Sequence, residues 1–292
     1  MRGETVVCAG HVNWDVTLSV DRLPPPDGEA AIAGQTSSSG GSASNTAVAL
    51  AELGHRPVLL GSVGDDNYGQ LVRTELAEFG VDCTHLETVS GGVTTVKHLV
   101  VDETGQVMVL ANDGVNEAFD ADTLPESVLA GAAHLHLTSQ RPETAARLAQ
   151  RAKDCGVPVS FDPGRRLDGR GYEPVYRLAE LVFLNEHEAE TARAQGVLER
   201  CSGVTVIKRG EHGAHASRDG EQISHSGYPA DVVDTAGAGD AFAAGVIAAR
   251  LDGEPLESAL AVGNACGALA TQSKGTHTTL SWEDVTALLR SG

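Results

Sequence analysis

Much that would place this chain of 292 residues in a familiar class is missing from it. No apolar run approaches the roughly 20 residues that a membrane-spanning helix requires, which excludes a helical integral membrane protein. The first apolar stretch, Val6-Val7-Cys8-Ala9-Gly10, is too short and wrongly flanked for a secretion signal, so a cytoplasmic location is expected. The five cysteines (Cys8, Cys83, Cys155, Cys201, Cys266) lie at least 46 residues apart. An odd, scattered set makes neither a disulfide framework nor a zinc knuckle, and reduced thiols in the core are expected. Lysine is scarcer still: four Lys stand beside 17 Arg, and 40 acidic against 21 basic residues give a net charge of −19. Such a surface repels nucleic acid and anionic lipid, so neither is expected as a partner. It suits concentrated salt, where screening suppresses self-repulsion, and a halophilic source is expected. Aromatic residues are only 4% of the chain, little for stacking on a base. The sequence also lacks G-x-x-x-x-G-K-[ST], which excludes a P-loop. It has no repeat, low-complexity tract or long linker.

What is present reads as a globular α/β protein, with 41% apolar and 21% charged residues. Short apolar runs occur at Val6–Gly10, Val58–Val63, His134–Thr138, Val157–Phe161, Leu181–Leu184 and Val204–Ile207. Between and after them lie helical patterns at Ala43–Leu53, Tyr68–Phe79, Pro142–Cys155, Ala238–Leu251 and Leu256–Gln272. That alternation predicts a mostly parallel sheet with helices on both faces, and ligands at the carboxyl ends of its strands. Two regions depart from it, roughly 12–35 and 92–110, with strand-like runs and a turn signal at Asp102-Glu103-Thr104-Gly105. They are expected to form a small separate sheet acting as a lid. Pro24-Pro25-Pro26-Asp27-Gly28 is a stiff turn within that segment.

The segment with the most chemical content is Asp234-Thr235-Ala236-Gly237-Ala238-Gly239-Asp240. Small residues at a helix start let backbone N–H groups converge on an anion, with the helix dipole behind them. Asp240, one step into the helix, would then stand beside the anion, where a carboxylate serves as base toward an attacking hydroxyl. Ordinary helix capping is the alternative for such a string taken alone.

The whole string resembles the Asp-Thr-x-Gly-Ala-Gly-Asp signature of the ribokinase, or PfkB, family of carbohydrate kinases. Other segments are similar in order: Gly40-Gly41-Ser42-Ala43-Ser44-Asn45-Thr46-Ala47, Gly61-Ser62-Val63-Gly64-Asp65-Asp66 with Gly69, Asn185-Glu186-His187-Glu188, and Lys208-Arg209-Gly210-Glu211-His212-Gly213. The resemblance implies one three-layer αβα domain over residues 1–292, with a mostly parallel central sheet and a small β lid. It further implies an ATP- and Mg²⁺-dependent kinase acting on a primary hydroxyl of a small sugar, sugar acid or sugar phosphate. Asp240 would be the general base, and the backbone of Ala236, Gly237, Ala238 and Gly239 the anion hole. Asn13, Asp15, Gly40, Gly41 and Asn45 would hold the acceptor, and Lys208, Arg209, Gly210, Gly213 and Asn264 the nucleotide. For Asn264 a backbone partner inside its helix is the alternative. Asn185 and Glu188 would organise Mg²⁺ through water, although a solvated helix cap is the reading of that string taken alone, and His187 would be a bystander. Backbone oxygens of Asp234 and Ala236, with segment 273–276, would hold K⁺ unless the Lys274 ammonium fills that space.

The departures concern the acceptor. Relatives resembling ribokinase proper carry a Glu after the central strand, whereas His134-Leu135-His136-Leu137-Thr138-Ser139-Gln140 has no carboxylate. Phe161-Asp162-Pro163-Gly164-Arg165-Arg166-Leu167 is similar to the Asp-Pro-Asn-x-Arg segment of fructokinases and 2-keto-3-deoxygluconate kinases, with Gly164 in place of Asn. Arg166 there suits a carboxylate or phosphate on the acceptor, or else is solvated on its loop. A nucleoside kinase is an alternative reading, with Trp14 the aromatic placed to stack. A non-catalytic sugar- or nucleotide-sensing protein is another. Apolar residues in 92–110 exceed what one sugar covers, which predicts a symmetric homodimer through the lids.

Overall fold

The computed structural model describes residues 3–277 and 280–291. In chain order the strands are β1 (Thr5–Ala9), β2 (Asn13–Val20), β3 (Ile32–Gly40), β4 (Arg56–Gly64), β5 (Leu86–Val89), β6 (Val96–Val101), β7 (Val107–Ala111), β8 (His134–Thr138), β9 (Val159–Asp162), β10 (Leu181–Asn185), β11 (Val204–Lys208), β12 (Ala214–Arg218) and β13 (Glu221–His225). The helices are α1 (Ser42–Glu52), α2 (Asn67–Glu78), α3 (Glu126–Ala130), α4 (Pro142–Asp154), α5 (Glu173–Leu178), α6 (Glu186–Ala194), α7 (Ala238–Leu251), α8 (Leu256–Ala270) and α9 (Trp282–Ser291). The large sheet runs β13-β12-β11-β10-β9-β8-β1-β4-β5, parallel from β5 through β11 and closed by an antiparallel hairpin at β12 and β13.

Helices cover both faces of this sheet, and the strand pleat divides the core between them. In β1, Val6 and Cys8 join the apolar cluster with α1, α2, α7 and α8, while Val7 and Ala9 join the other with α4, α5 and α6. A strand buried on both faces needs apolar residues at every position, so Val-Val-Cys-Ala reads as an unbroken run. On β8 the alternation is broken on one face: Leu135 and Leu137 enter the core with α4, but the opposite face carries His134 and His136. Both imidazoles share the Ser160 hydroxyl, at 2.7 and 2.8 Å, and burial drives both down to about 3, so they are neutral. All five cysteines are free, with Cys8 and Cys266 buried.

The small sheet is β3-β2-β6-β7, built from the two departing regions. Its first part extends past the expected limit of residue 35, since β3 continues to Gly40 and delivers Gly40-Gly41 to the start of α1. The sequence pattern missed that extension because Thr36-Ser37-Ser38-Ser39 has no apolar alternation; it is held by pairing to β2. The β12–β13 hairpin, β5 and α9 also lie outside the expected elements, the hairpin because its residues are mostly polar and half-exposed. No described helix is long and apolar enough to cross a membrane.

Candidate active site

The carboxyl ends of β1, β8, β9, β10 and β11 open on one side of the large sheet, and α7 begins there. Gly237 caps α7 in the left-handed region at φ 75°, and a Cβ on it would lie 2.7 Å from the Thr276 carbonyl oxygen. Only glycine meets both conditions, so the chain can turn tightly into the helix with its first N–H groups uncovered. Asp240 is the third residue of α7 and points away from the helix's own backbone. Its Oδ2 accepts a hydrogen bond from Asn45 Nδ2 at 2.8 Å, and Ser42 also bonds the carboxylate. Burial first, then the Asp162 carboxylate, raises the Asp240 pKa to about 6 against the pull of Asn45 and Lys208. That value suits a group that must accept a proton near neutrality.

The structure narrows the expected anion hole. Ala236 N–H already donates to the Asp234 Oδ1 at 2.9 Å, and Ala238 N–H makes a long bond of 3.3 Å to the Thr235 carbonyl. Gly239 and Asp240, within the first turn, have no intrahelical acceptor for their N–H groups. Asp234 straps two loops together, because its Oδ2 accepts from Gly275 N–H at 3.0 Å. Segments 234–236 and 273–276 are therefore adjacent, and Lys274 between them is exposed rather than filling the space.

On one side of Asp240 lies a cleft of about 760 Å³, lined by Lys208, Gly210, Gly213, Tyr228, Asn264 and the start of α7 among others. Lys208 enters it from the end of β11; a Cβ on Gly239 would stand 3.3 Å from its Nζ. Burial opposes charge on Lys208, but Asp162, bonded at 2.5 Å, and Glu188 outweigh it and raise its pKa. Arg209 departs from the expectation. Its guanidinium faces Glu186 on α6 at 3.8 Å and does not line the cleft, since neighbouring residues of a strand end point to opposite sides. Asn264 does line it, with its amide nitrogen 3.0 Å from His225 Nδ1. Asn185 and Glu188 make a capping box on α6: Asn185 Oδ1 accepts from Glu188 N–H and Glu188 Oε2 from Asn185 N–H, each at 2.8 Å. The Glu188 carboxyl is buried, and burial together with Asp162 holds its pKa up. The exposed His187 takes no part.

On the other side of Asp240 the body meets the small sheet. Asn13 is fully buried, Asp15 half-buried, and Gly40 pairs with Asn13 across β2 and β3. Gly41, with φ 100°, brings α1 so close that a Cβ would lie 2.3 Å from the His11 carbonyl oxygen. Asn45, one turn on, reaches Asp240. Arg166 is tied to Asp113 at 2.7 Å and to Glu117 at 3.5 Å; Glu117 also holds Arg170 at 2.7 Å and His11 at 3.2 Å. Burial, then Arg166, lowers His11 to about 4. Trp14 is 8% exposed and tilted against Tyr68, a wall rather than an open plate.

Sequence reasoning assigned no role to Asp162, His11, Lys97, Glu117 or Arg170. Asp162 had a legible signal, a carboxylate closing a buried strand at its carboxyl end; the others meet only through tertiary contacts.

The match to known proteins decides the family. The model for the pfkB family of carbohydrate kinases matches residues 4–283. The chain belongs to that family. An ATP-dependent ribose-1-phosphate kinase of Halopiger xanaduensis is 47% identical over 97% of both chains. The ribokinase of Arabidopsis thaliana, solved with ribose and ATP, superposes with a TM-score of 0.86 at 24% identity, covering 99% of both chains. A nucleoside kinase of Methanocaldococcus jannaschii superposes at 0.85 and 25% identity over 99% of this chain and all of its own. This pfkB chain is thus a sugar or nucleoside kinase, a phosphotransferase with an alcohol group as acceptor, and its fold is ribokinase-like. A purely sensing role is set aside by that finding.

Proposed function

We propose that this chain transfers the γ-phosphate of ATP to a primary hydroxyl of a phosphorylated pentose, with ribose 1-phosphate the acceptor to try first. The observation that carries the acceptor class is the placement of Arg166 and Arg170. Both are ion-paired to Glu117, which also bonds His11, two residues before Asn13. Two guanidiniums beside the acceptor residues, in a chain of net charge −19, favour an anionic group on the sugar. The relative at 47% identity, named for ribose 1-phosphate, agrees with that chemistry. Trp14, already covered by Tyr68, weighs against stacking on a nucleoside base.

In this reading Asp15, Asn13, Asn45 and the Gly40-Gly41 backbone hold the sugar so that its primary hydroxyl faces Asp240. Asp240 takes the proton as the hydroxyl oxygen bonds to the γ-phosphorus and the bond to the β-phosphate oxygen breaks, releasing ADP. The Gly239 and Asp240 N–H groups, which lack an intrahelical acceptor, take up the charge that develops together with Lys208. ATP occupies the 760 Å³ cleft.

Among the described residues no group of three His, Cys, Asp or Glu could hold a metal by itself. Mg²⁺ keeps water and phosphate oxygens as ligands, and Glu188, with one carboxylate oxygen taken by the cap, fits a role behind such waters. The ion would supply charge neutralisation on the transferring phosphate. K⁺ would sit between segments 234–236 and 273–276. The lids would pair two protomers, because Val107, Met108, Val109 and Leu110 on β7 are 37–56% exposed. The acidic, Lys-poor surface fits work in concentrated salt inside a cell.

The test is a panel of ribose 1-phosphate, ribose, other sugar phosphates, sugar acids and nucleosides, each with ATP. Ribose 1-phosphate giving the highest kcat/KM supports the proposal. A free sugar or a nucleoside preferred by tenfold or more overturns it.

A further inference from the structure

The small sheet contributes one basic side chain to the acceptor site, and it lies at an unusual spot. Lys97 on β6 stands directly opposite Asp15 on β2 in the parallel register. With the Asn13 amide oxygen turned toward it, Lys97 Nζ donates to that oxygen at 2.9 Å, and Gly41 N–H donates to it at 3.2 Å. Asn13 is fully buried, so Lys97 reaches beneath the sugar-binding face rather than into solvent. Asp15 needs such a neighbour. Burial presses its carboxyl toward the neutral form, and Lys97 is the leading influence the other way.

Among the described residues no other charged group pulls the Asp15 carboxyl toward ionisation. β3 presents Gly40, whose missing Cβ leaves room for the carboxylate: a Cβ there would lie 2.3 Å from Asp15 Oδ2. His11, four residues before Asp15 in the chain, is lowered to about 4 and carries no charge at neutral pH. On α2, packed against β2, Tyr68 contacts Trp14 and Glu75 is spent on the Ser39 N–H at 2.5 Å.

We propose that Lys97 is a positioning residue of the acceptor site: from the lid strand it fixes the Asn13 amide and keeps Asp15 an ionised acceptor of two sugar hydroxyls. This rests on the reading above that Asp15 grips the acceptor. A protonated Asp15 would offer one donor and one weaker acceptor in place of two charged oxygens. Because the ammonium belongs to the small sheet, displacement of that sheet from β2 would remove the charge from Asp15 and loosen the sugar at the same time.

The experiment compares wild type, Lys97→Met and Lys97→Arg by calorimetric titration of the acceptor and by the pH dependence of acceptor KM, with KM for ATP as the control. Lys97→Met is expected to weaken acceptor binding about tenfold, as for loss of a hydrogen bond to a charged group. It should also move the acid limb of acceptor binding to higher pH, while KM for ATP stays put. Lys97→Arg, which keeps the charge, should recover most of the loss. Equal impairment in both variants, or an unmoved pH profile, overturns the proposal. A loss confined to phosphorylated acceptors with the pH profile unmoved assigns the ammonium to the substrate's phosphate and overturns it as well. Lys97→Gln serves the same comparison if the apolar variant does not fold. Failure of the underlying reading looks different: wild type itself would bind no polyol.

Discussion

Asn45 Nδ2 donates to Asp240 Oδ2 at 2.8 Å, joining residues 195 positions apart in the chain and the starts of two helices, α1 and α7. The bond ties the residue beside the Gly-Gly turn to the carboxylate at the head of α7. It also lowers the Asp240 pKa, against burial and Asp162, which raise it to about 6. Asn45→Ala is therefore expected to push that pKa up and shift the acid limb of kcat to higher pH, with kcat at pH 7 falling about tenfold or more. A pH–rate profile measured with both substrates saturating checks this.

The same pKa sets a stability signature. Burial lets the folded protein keep the Asp240 proton to about pH 6, whereas an unfolded carboxyl releases it near 3.8. Stability is thus lost as pH rises through that window. Asp240→Asn cannot ionise, so its melting temperature at pH 7–8 should exceed that of wild type, and the two should converge below pH 4. Thermal unfolding across pH 3.5–8 gives both curves.

Lys208 and Asp162 form a buried pair whose side chains are 16% and 7% exposed. Lys208→Met would leave the buried Asp162 carboxylate without its ion-pair partner, a loss of about 3–5 kcal/mol by analogy with other broken buried pairs. It would also raise the Asp240 pKa further, since Lys208 lowers it now. Denaturant unfolding and a pH–rate profile should move together; a variant as stable as wild type would contradict the pairing.

How much of this was legible in the sequence follows from the range of each interaction. The alternation of β-branched runs and helical patterns located the parallel sheet, and Gly237-Ala238-Gly239-Asp240 located the head of α7, because both depend on residues adjacent in the chain. Asn185 and Glu188 were visible as a helical turn for the same reason, and a helix cap, the reading their string favours when taken alone, is what they form. Asn45 with Asp240, Lys208 with Asp162, and Arg166 with Asp113 and Glu117 were not legible: each contact spans 46 or more residues. Arg209 and Ala236 N–H were assigned by motif; tertiary geometry turns Arg209 to Glu186, while Ala236 N–H is taken by a local bond to the Asp234 side chain two residues before it.

Arg166 gives a prediction for acceptor choice. Arg166→Gln should raise KM for ribose 1-phosphate about tenfold, the worth of one charge-assisted hydrogen bond, and leave KM for ATP unchanged. Steady-state kinetics with each substrate varied separately decides it.

The exposed β7 strand gives another. Light scattering in the salt that supports activity should report about twice 30.2 kDa, and Val109→Lys should shift it toward the monomer. A wild-type monomer under those conditions would rule out lid pairing.

The central claim is that Asp240 is the base of an ATP-dependent sugar kinase, and a single rate tests it. With ribose 1-phosphate and ATP at pH 7.5, Asp240→Asn should lose about 10²–10⁴ in kcat while retaining its ATP affinity and its cooperative unfolding transition. An Asp240→Asn protein that is folded, binds ATP and turns over at the wild-type rate would contradict the account.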